Sequence, residues 1–205
     1  MRGLDRIVDR IAAELDETDR VRELALKSAR TITRLAATAI RGMHRGDDPS
    51  KMLAEAQTET KRLGTLLAGH PDLWHGGSME GALQEVSEAA VVHALLRGKP
   101  LPEPEALGVT SAAYLLGLAD AVGELRRLAL DRMRDGKVDD AAGYLGMMED
   151  IFDALLRFDH PDAIVPLRHK QDVARGLLER TRGELAVAAH SARLEKRLRS
   201  LSRKL

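Results

Sequence analysis

Leu83-Gln84-Glu85-Val86-Ser87-Glu88-Ala89 and Leu118-Ala119-Asp120-Ala121-Val122-Gly123-Glu124-Leu125 each set two carboxylates one helical turn apart inside an otherwise apolar run. Residues three or four apart share a helical face, so each stretch reads as a helix with an acid pair on one side. Two such helices packed with those faces together bring Glu85, Glu88, Asp120 and Glu124 to one place. Four carboxylates crowded in a half-buried spot repel, and most must be protonated unless a cation joins them. A divalent ion that takes hard oxygen ligands, Mg²⁺ or Mn²⁺, relieves that repulsion. Solvated or salt-bridged glutamates have the same spacing, so the spacing alone leaves both readings open. Val91 and Val92 near the first pair, and Leu118, Ala119 and Leu125 around the second, favour burial.

The rest of the chain is equally helical in character. Its apolar share is 44%, enough for a core, but aromatics make only 2%, so that core must be aliphatic. Ala, Leu, Arg and Glu, all strong helix formers, dominate, and the alternation expected of strands is absent. The expectation is an all-α fold in a single domain spanning residues 1–205. Lys plus Arg and Asp plus Glu each number 32, so any polyanion site must arise from local clustering rather than net charge. There is no cysteine, which excludes disulfides and Cys-ligated zinc. No run approaches the ~20 apolar residues of a membrane span, and Met1-Arg2-Gly3-Leu4-Asp5-Arg6 lacks the apolar segment of a signal peptide. A cytoplasmic protein with no membrane partner is expected.

In chain order, Leu4, Ile7, Val8, Ile11 and Leu15 form one stripe, and Thr18 could cap a second helix or lie inside one long helix. Within residues 19–45, at about 100° per residue, Val21, Ala25, Ile32, Ala36, Ala39 and Met43 line one side. Lys27, Arg30, Arg34, Arg41 and Arg45 fall nearly opposite. That basic strip is either a solvated face or a track for phosphates. Asp48 caps the next helix with Pro49 at its first position, and that helix runs to about Ala68. A loop then holds Trp74, the only tryptophan, as a packing plug or a base-stacking platform. Ser78 caps the helix of Glu85 and Glu88, which ends near Gly98, and a loop follows with Pro100, Pro102 and Pro104. Thr110 caps the helix of Asp120 and Glu124, which reaches Gly136. A further helix from Lys137 ends near 158–162, and a last one starts near Ala163, with Pro166 tolerated in its first turn. The end of the chain, residues 190–205, carries Arg193, Lys196, Arg197, Arg199, Arg203 and Lys204 against one acid, Glu195. Leu194, Leu198, Leu201 and Leu205 recur there at helical spacing, giving a basic amphipathic helix or tail.

The order of these segments resembles the translin and translin-associated factor X (TRAX) superfamily in its archaeal form. The resemblance rests on Asp19-Arg20-Val21-Arg22-Glu23-Leu24 leading into Lys27-Ser28-Ala29-Arg30-Thr31-Ile32-Thr33-Arg34, on the 83–89 stretch, and on Tyr114-Leu115-Leu116-Gly117 running through to Leu125. Leu167-Arg168-His169-Lys170-Gln171-Asp172-Val173-Ala174-Arg175 and Glu179-Arg180-Thr181-Arg182-Gly183 extend it, so it covers residues 19–184. It implies a bundle of about seven helices assembling into a closed homo-oligomeric shell, hexamer to octamer. It further implies single-stranded RNA, or single-stranded DNA, held inside and an Mg²⁺-dependent endoribonuclease activity. The TRAX branch carries its catalytic acids where this chain has Glu85, Glu88, Asp120 and Glu124; translin itself lacks the counterpart of Asp120. The chain departs from the common pattern at Val86-Ser87, where Tyr-Val is frequent, and at Ala121-Val122, where Leu-Thr is frequent. Neither change removes an acid.

The reading that follows is a phosphodiester hydrolase in which the four acids hold one or two Mg²⁺ or Mn²⁺ ions and the ions activate a water. Few aromatics are available for stacking, so Lys27, Arg30, Arg34, Arg41 and Arg45 are the expected phosphate contacts. The alternatives are a non-catalytic single-stranded RNA- or DNA-binding shell, or an all-α nucleotide pyrophosphohydrolase. The last needs Glu-Glu-x-x-Glu where this chain has Gln84-Glu85-x-x-Glu88, one acid short. The seven histidines are scattered and contain no pair at a metal-ligand spacing.

Overall fold

The computed structural model describes residues 3–202, and among them every regular element is a helix. The element order is α1 (Leu4–Arg45), α2 (Ser50–Leu66), α3 (Pro71–Trp74), α4 (Gly77–Leu96), α5 (Pro104–Leu107), α6 (Ser111–Arg134), α7 (Val138–Leu155) and α8 (Arg168–Ser202). Six are long and two are single turns, so the expected all-α class holds.

Residues up to Ala90 together with Pro102–Tyr114 make one compact unit, and Val91–Leu101 with the chain from Leu115 make a second. The first is built on α1 against α2. All six residues expected on the apolar side of α1, Val21, Ala25, Ile32, Ala36, Ala39 and Met43, are buried. Ala25, Ala29, Ala36 and Ala39 keep that face thin, so α2 can approach closely and bury Ala56, Thr60 and Leu63. In the second unit α7 lies against α8, and Val122, Leu125, Met148, Leu155 and Leu178 are buried to 2% or less. The core is aliphatic, as the composition requires.

Thr18 does not begin a new helix. Its hydroxyl donates to the Glu14 carbonyl at 2.9 Å, satisfying it inside the helix, and α1 runs unbroken for 42 residues. It ends where Gly46 turns left-handed at φ 82°; the Gly46 amide donates to Met43 O and the Asp47 amide to Gly42 O at 2.9 Å, closing the last turn. Asp48 Oδ1 accepts from the Ser50 amide at 3.1 Å as a capping side chain does, but α2 begins at Ser50, so Pro49 stands just ahead of the helix and not at its first position. Thr110 caps as expected: its Oγ1 accepts from the Ala113 amide at 3.0 Å while its hydroxyl donates to Glu80 Oε2 at 2.8 Å.

Four other boundaries differ from the sequence reading. Pro71–Trp74 is a helical turn, not loop, because Pro71 sits at its first position with a preset φ. Trp74 packs there against Gly64 of α2, where an added Cβ would meet the indole at 3.7 Å, which is the plug arrangement. α4 begins at Gly77, so Ser78 lies inside its first turn; the Met79 and Glu80 amides donate to Gly76 O and leave Ser78 no capping place. α7 stops at Leu155, short of 158–162, because the Gln171 side-chain amide takes the Leu155 and Phe158 carbonyls at 2.8 and 3.0 Å. Finally, Pro166 lies ahead of the last helix. A residue before proline avoids the helical region; Val165 and Leu167 are buried in the link, where the Leu167 amide donates to Val165 O at 2.8 Å, and α8 starts at Arg168. Of the expected C-terminal basic helix, residues 190–202 are helical; Arg203, Lys204 and Leu205 lie outside the described residues.

Candidate functional site

The two acid pairs sit on the long helices expected of them. Glu85 and Glu88 are on α4, where Leu83, Val86 and Ala89 are buried to 3% or less and Glu88 itself is 9% exposed. A carboxylate so enclosed must be compensated, and each of the four acids does take part in a hydrogen-bond, ion-pair or electrostatic interaction. Asp120 and Glu124 are on α6, both half-buried, between the fully buried Ala121, Val122 and Leu125. Asp120 is ion-paired and hydrogen-bonded to the Lys170 ammonium from α8, both groups being about three-quarters enclosed. This pairing joins residues 50 apart, and no sequence spacing announces it, although Lys170 lies within the 167–175 segment that carries the family resemblance.

Two residues beyond Glu124, Arg126 bonds to α8. Its guanidinium donates to Glu184 Oε2 and Oε1 at 2.8 and 2.9 Å and to Thr181 Oγ1 at 2.6 Å. Those hydrogen bonds, ahead of the opposing effect of burial, hold the Glu184 carboxyl below its ordinary pKa. On Tyr114, burial and then the charge of Glu103 push the phenol's pKa upward.

Hard carboxylate oxygens are the right donors for Mg²⁺ or Mn²⁺, and Asp120 already draws a cation in Lys170. Among the described residues, however, no group of three or more His, Asp or Glu side chains is placed to hold a metal ion. The donors fit in kind; Glu85 and Glu88 belong to the first compact unit, Asp120 and Glu124 to the second.

The basic strip of α1 resolves into parts. Lys27, Arg30, Arg34, Arg41 and Arg45 are all exposed. Arg30, Arg34 and Arg41 line one groove of about 450 Å³, with Leu26, Ala29, Thr33 and Ala37 as its floor and Ser78 at its edge. Lys27 instead borders a separate groove of about 340 Å³ with Arg62 and the hydrogen-bonded pair Ser28 and Glu59. Arg45 is tied to Asp47, Nη2 to Oδ2 at 2.9 Å, beside the helix end. Three arginines at a four- and a seven-residue step thus form the continuous part of the strip, and Arg45 is diverted from it.

A sequence model of the translin family matches residues 19–181. The chain belongs to the translin family. It is 34% identical over 189 residues to the uncharacterized protein MJ0175 of Methanocaldococcus jannaschii, a match that takes in 90% of this chain and 84% of the relative. The crystal structure of AfC3PO superposes with a TM-score of 0.74 at 33% identity, covering 90% of this chain and 97% of that one. AfC3PO in complex with duplex RNA gives a TM-score of 0.71 at 31% identity over the same shares. Apo-NeC3PO shares the fold, with a TM-score of 0.77 at 20% identity over 88% of this chain and 96% of that one. The resemblance drawn from the 19–34, 83–89 and 114–125 segments is thereby borne out as family membership. No helix among the described residues is long and apolar enough to cross a membrane.

Proposed function

We propose that this translin-family chain binds RNA as one subunit of a closed homo-oligomer, hexamer to octamer, and cuts it as a metal-dependent endoribonuclease. The observation that carries the reading is the likeness, over nearly the whole of both chains, to AfC3PO in complex with duplex RNA. Arg30, Arg34 and Arg41 supply a groove of exposed guanidinium groups suited to phosphates. Lys27, on the separate groove it borders, and Arg45, once released from Asp47, are the further phosphate contacts proposed.

Glu85, Glu88, Asp120 and Glu124 are the residues that would hold Mg²⁺ or Mn²⁺. When bound, such an ion lowers the pKa of an attacking water and offsets charge on the leaving oxygen. The Lys170 ammonium, which pairs with Asp120 in this structure, would be a neutralising charge for a phosphate bound there. Glu88, the most enclosed of the four, is the group proposed to accept the water's proton.

The test is cleavage of a labelled single-stranded RNA and of a duplex, with Mg²⁺ and with EDTA. Cleavage should require the metal, and Asp120→Asn or Glu124→Gln should abolish it while RNA retention on a filter stays near the wild-type level. Equal turnover in those variants, or cleavage that persists in EDTA, would refute the hydrolytic assignment. One other reading, a shell that binds RNA without cutting it, is supported by the same translin-family membership and the same likeness to an RNA complex. It predicts retention with no cleavage at any metal concentration.

A further inference from the structure

Two arms of this protein carry apolar surface that the chain itself leaves uncovered. Residues 4–18 of α1 contain no buried side chain, yet Leu4, Ile7, Val8, Ile11 and Leu15 make a coherent stripe exposed from 43% to 64%. The repeat Leu4, Val8, Ile11, Leu15 steps by four, three and four, the spacing of helices that pack lengthwise. Residues 4–18 also carry five acids, Asp5, Asp9, Glu14, Asp16 and Glu17, against Arg6 and Arg10, a net charge of −3. At 100° per residue, Asp5, Asp9 and Asp16 follow one flank of the apolar stripe.

At the other end, α8 borders a groove of about 560 Å³ with the turn between α6 and α7. Its floor is apolar, with Met133, Val138 and Ala192, and its rim is basic, with Arg134, Lys196 and Arg199. Glu195 is the acid in the lining and is paired with Arg199 at 3.7 Å; Arg134 is paired with Asp131 at 3.1 Å. Both pairs lie within one helix and are exposed, so they compete weakly with a partner. The groove follows α8 from Ala188 to Ser200, about 18 Å at the helical rise, and the stripe from Leu4 to Leu15 spans about 17 Å.

We propose that the acidic arm, residues 4–18, of one copy lies in this basic-rimmed groove of a second copy. Leu4, Val8, Ile11 and Leu15 cover the floor, and Asp5, Asp9 and Asp16 face Arg134, Lys196 and Arg199. The contact is head-to-tail, each copy offering an arm to one neighbour and a groove to another, the kind of contact that forms a ring when its rotation closes. It involves none of the four acids, so it stands or falls independently of the nuclease reading.

The test uses two full-length variants at exposed positions, Ile7→Glu/Ile11→Glu in the arm and Arg134→Glu/Arg199→Glu in the groove, with circular dichroism confirming wild-type helicity. In sedimentation velocity at fixed protein and salt concentration, each variant alone should lose the wild-type assembly and run as a species with fewer chains. An equimolar mixture should give a complex heavier than either, because each supplies the half the other lacks. A full chain carrying Asp9→Arg/Asp16→Arg together with Arg134→Glu/Arg199→Glu should regain the wild-type mass. Wild-type sedimentation of either variant alone, or a mixture that sediments as the sum of its parts, overturns the pairing.

Discussion

Replacing Glu184 with alanine should destabilise the fold more than replacing Arg126 with methionine, although Arg126 is the more enclosed partner. The side chain of Arg126 is 16% exposed and that of Glu184 is 44% exposed, and two hydrogen bonds of 2.8 and 2.9 Å join them. In Glu184→Ala the guanidinium stays where it is, largely enclosed, with Thr181 as its remaining acceptor. Hydrogen bonds to charged groups contribute about 1.5–3 kcal/mol each, and the exposure of Glu184 screens the pair, so a loss of about 1–2 kcal/mol is expected. In Arg126→Met the orphaned groups are cheap. Glu184 reaches water, and Thr181 keeps its bond to the Leu177 carbonyl at 2.7 Å. Met fills most of the aliphatic volume, so the cost should be about 0.5 kcal/mol.

Urea unfolding at pH 7 and fixed protein concentration gives both values. The pH dependence supplies a second check with a definite sign. The Glu184 carboxyl titrates lower in the folded protein than in the unfolded chain, first because of the Arg126 hydrogen bonds. Its contribution is therefore complete above the ordinary glutamate pKa of about 4.3 and fades as pH falls through the lowered folded value. The gap between wild type and Glu184→Ala should narrow below about pH 4. A larger loss in Arg126→Met than in Glu184→Ala, or a gap that widens in acid, would refute this reasoning.

Further predictions concern the core, a cap and the basic groove. Leu125 is fully buried, so Leu125→Ala should cost about 3 kcal/mol in urea unfolding. Thr110→Val removes both the acceptor for the Ala113 amide and the donor to Glu80; a loss of about 1–2 kcal/mol is expected, with Thr110→Ser recovering most of it. If Arg30, Arg34 and Arg41 each neutralise one RNA phosphate, changing all three to Ala should flatten the plot of log binding constant against log salt by about 2 units of slope for a single strand. Arg45→Ala, already tied to Asp47, should change that slope least.

The helices were legible because their cause is local. Six apolar positions on α1 repeat with the helical period, and all six are buried; the caps at Asp48 and Thr110 are single residues acting on amides two or three positions away. Ambiguity arises where one residue type serves two ends. Thr18 has the chemistry of a cap, but an interior threonine can spend its hydroxyl on the carbonyl four residues back, and with no proline between residues 4 and 45 nothing forced a break. The start of α8 depended on Pro166 acting on the residue before it and on burial of Val165 and Leu167, a tertiary fact. At the candidate site, the kind and helical placement of the four acids could be read directly. The Lys170 partner of Asp120 could not, because only the folded chain brings residues 50 apart into contact. The diversion of Arg45 to Asp47 is a local effect, a guanidinium and a carboxylate two residues apart across the helix end at Gly46.

The indole that α3 sets against Gly64 of α2 has a practical consequence. As the chain's single tryptophan, Trp74 belongs wholly to the first of the two compact units, so its fluorescence watches that half of the molecule alone. Far-ultraviolet ellipticity, by contrast, sums every helix. Recorded on the same sample, the two signals form a built-in pair of thermometers: coincident curves mean the halves melt as one cooperative body, and separated curves reveal which half lets go first.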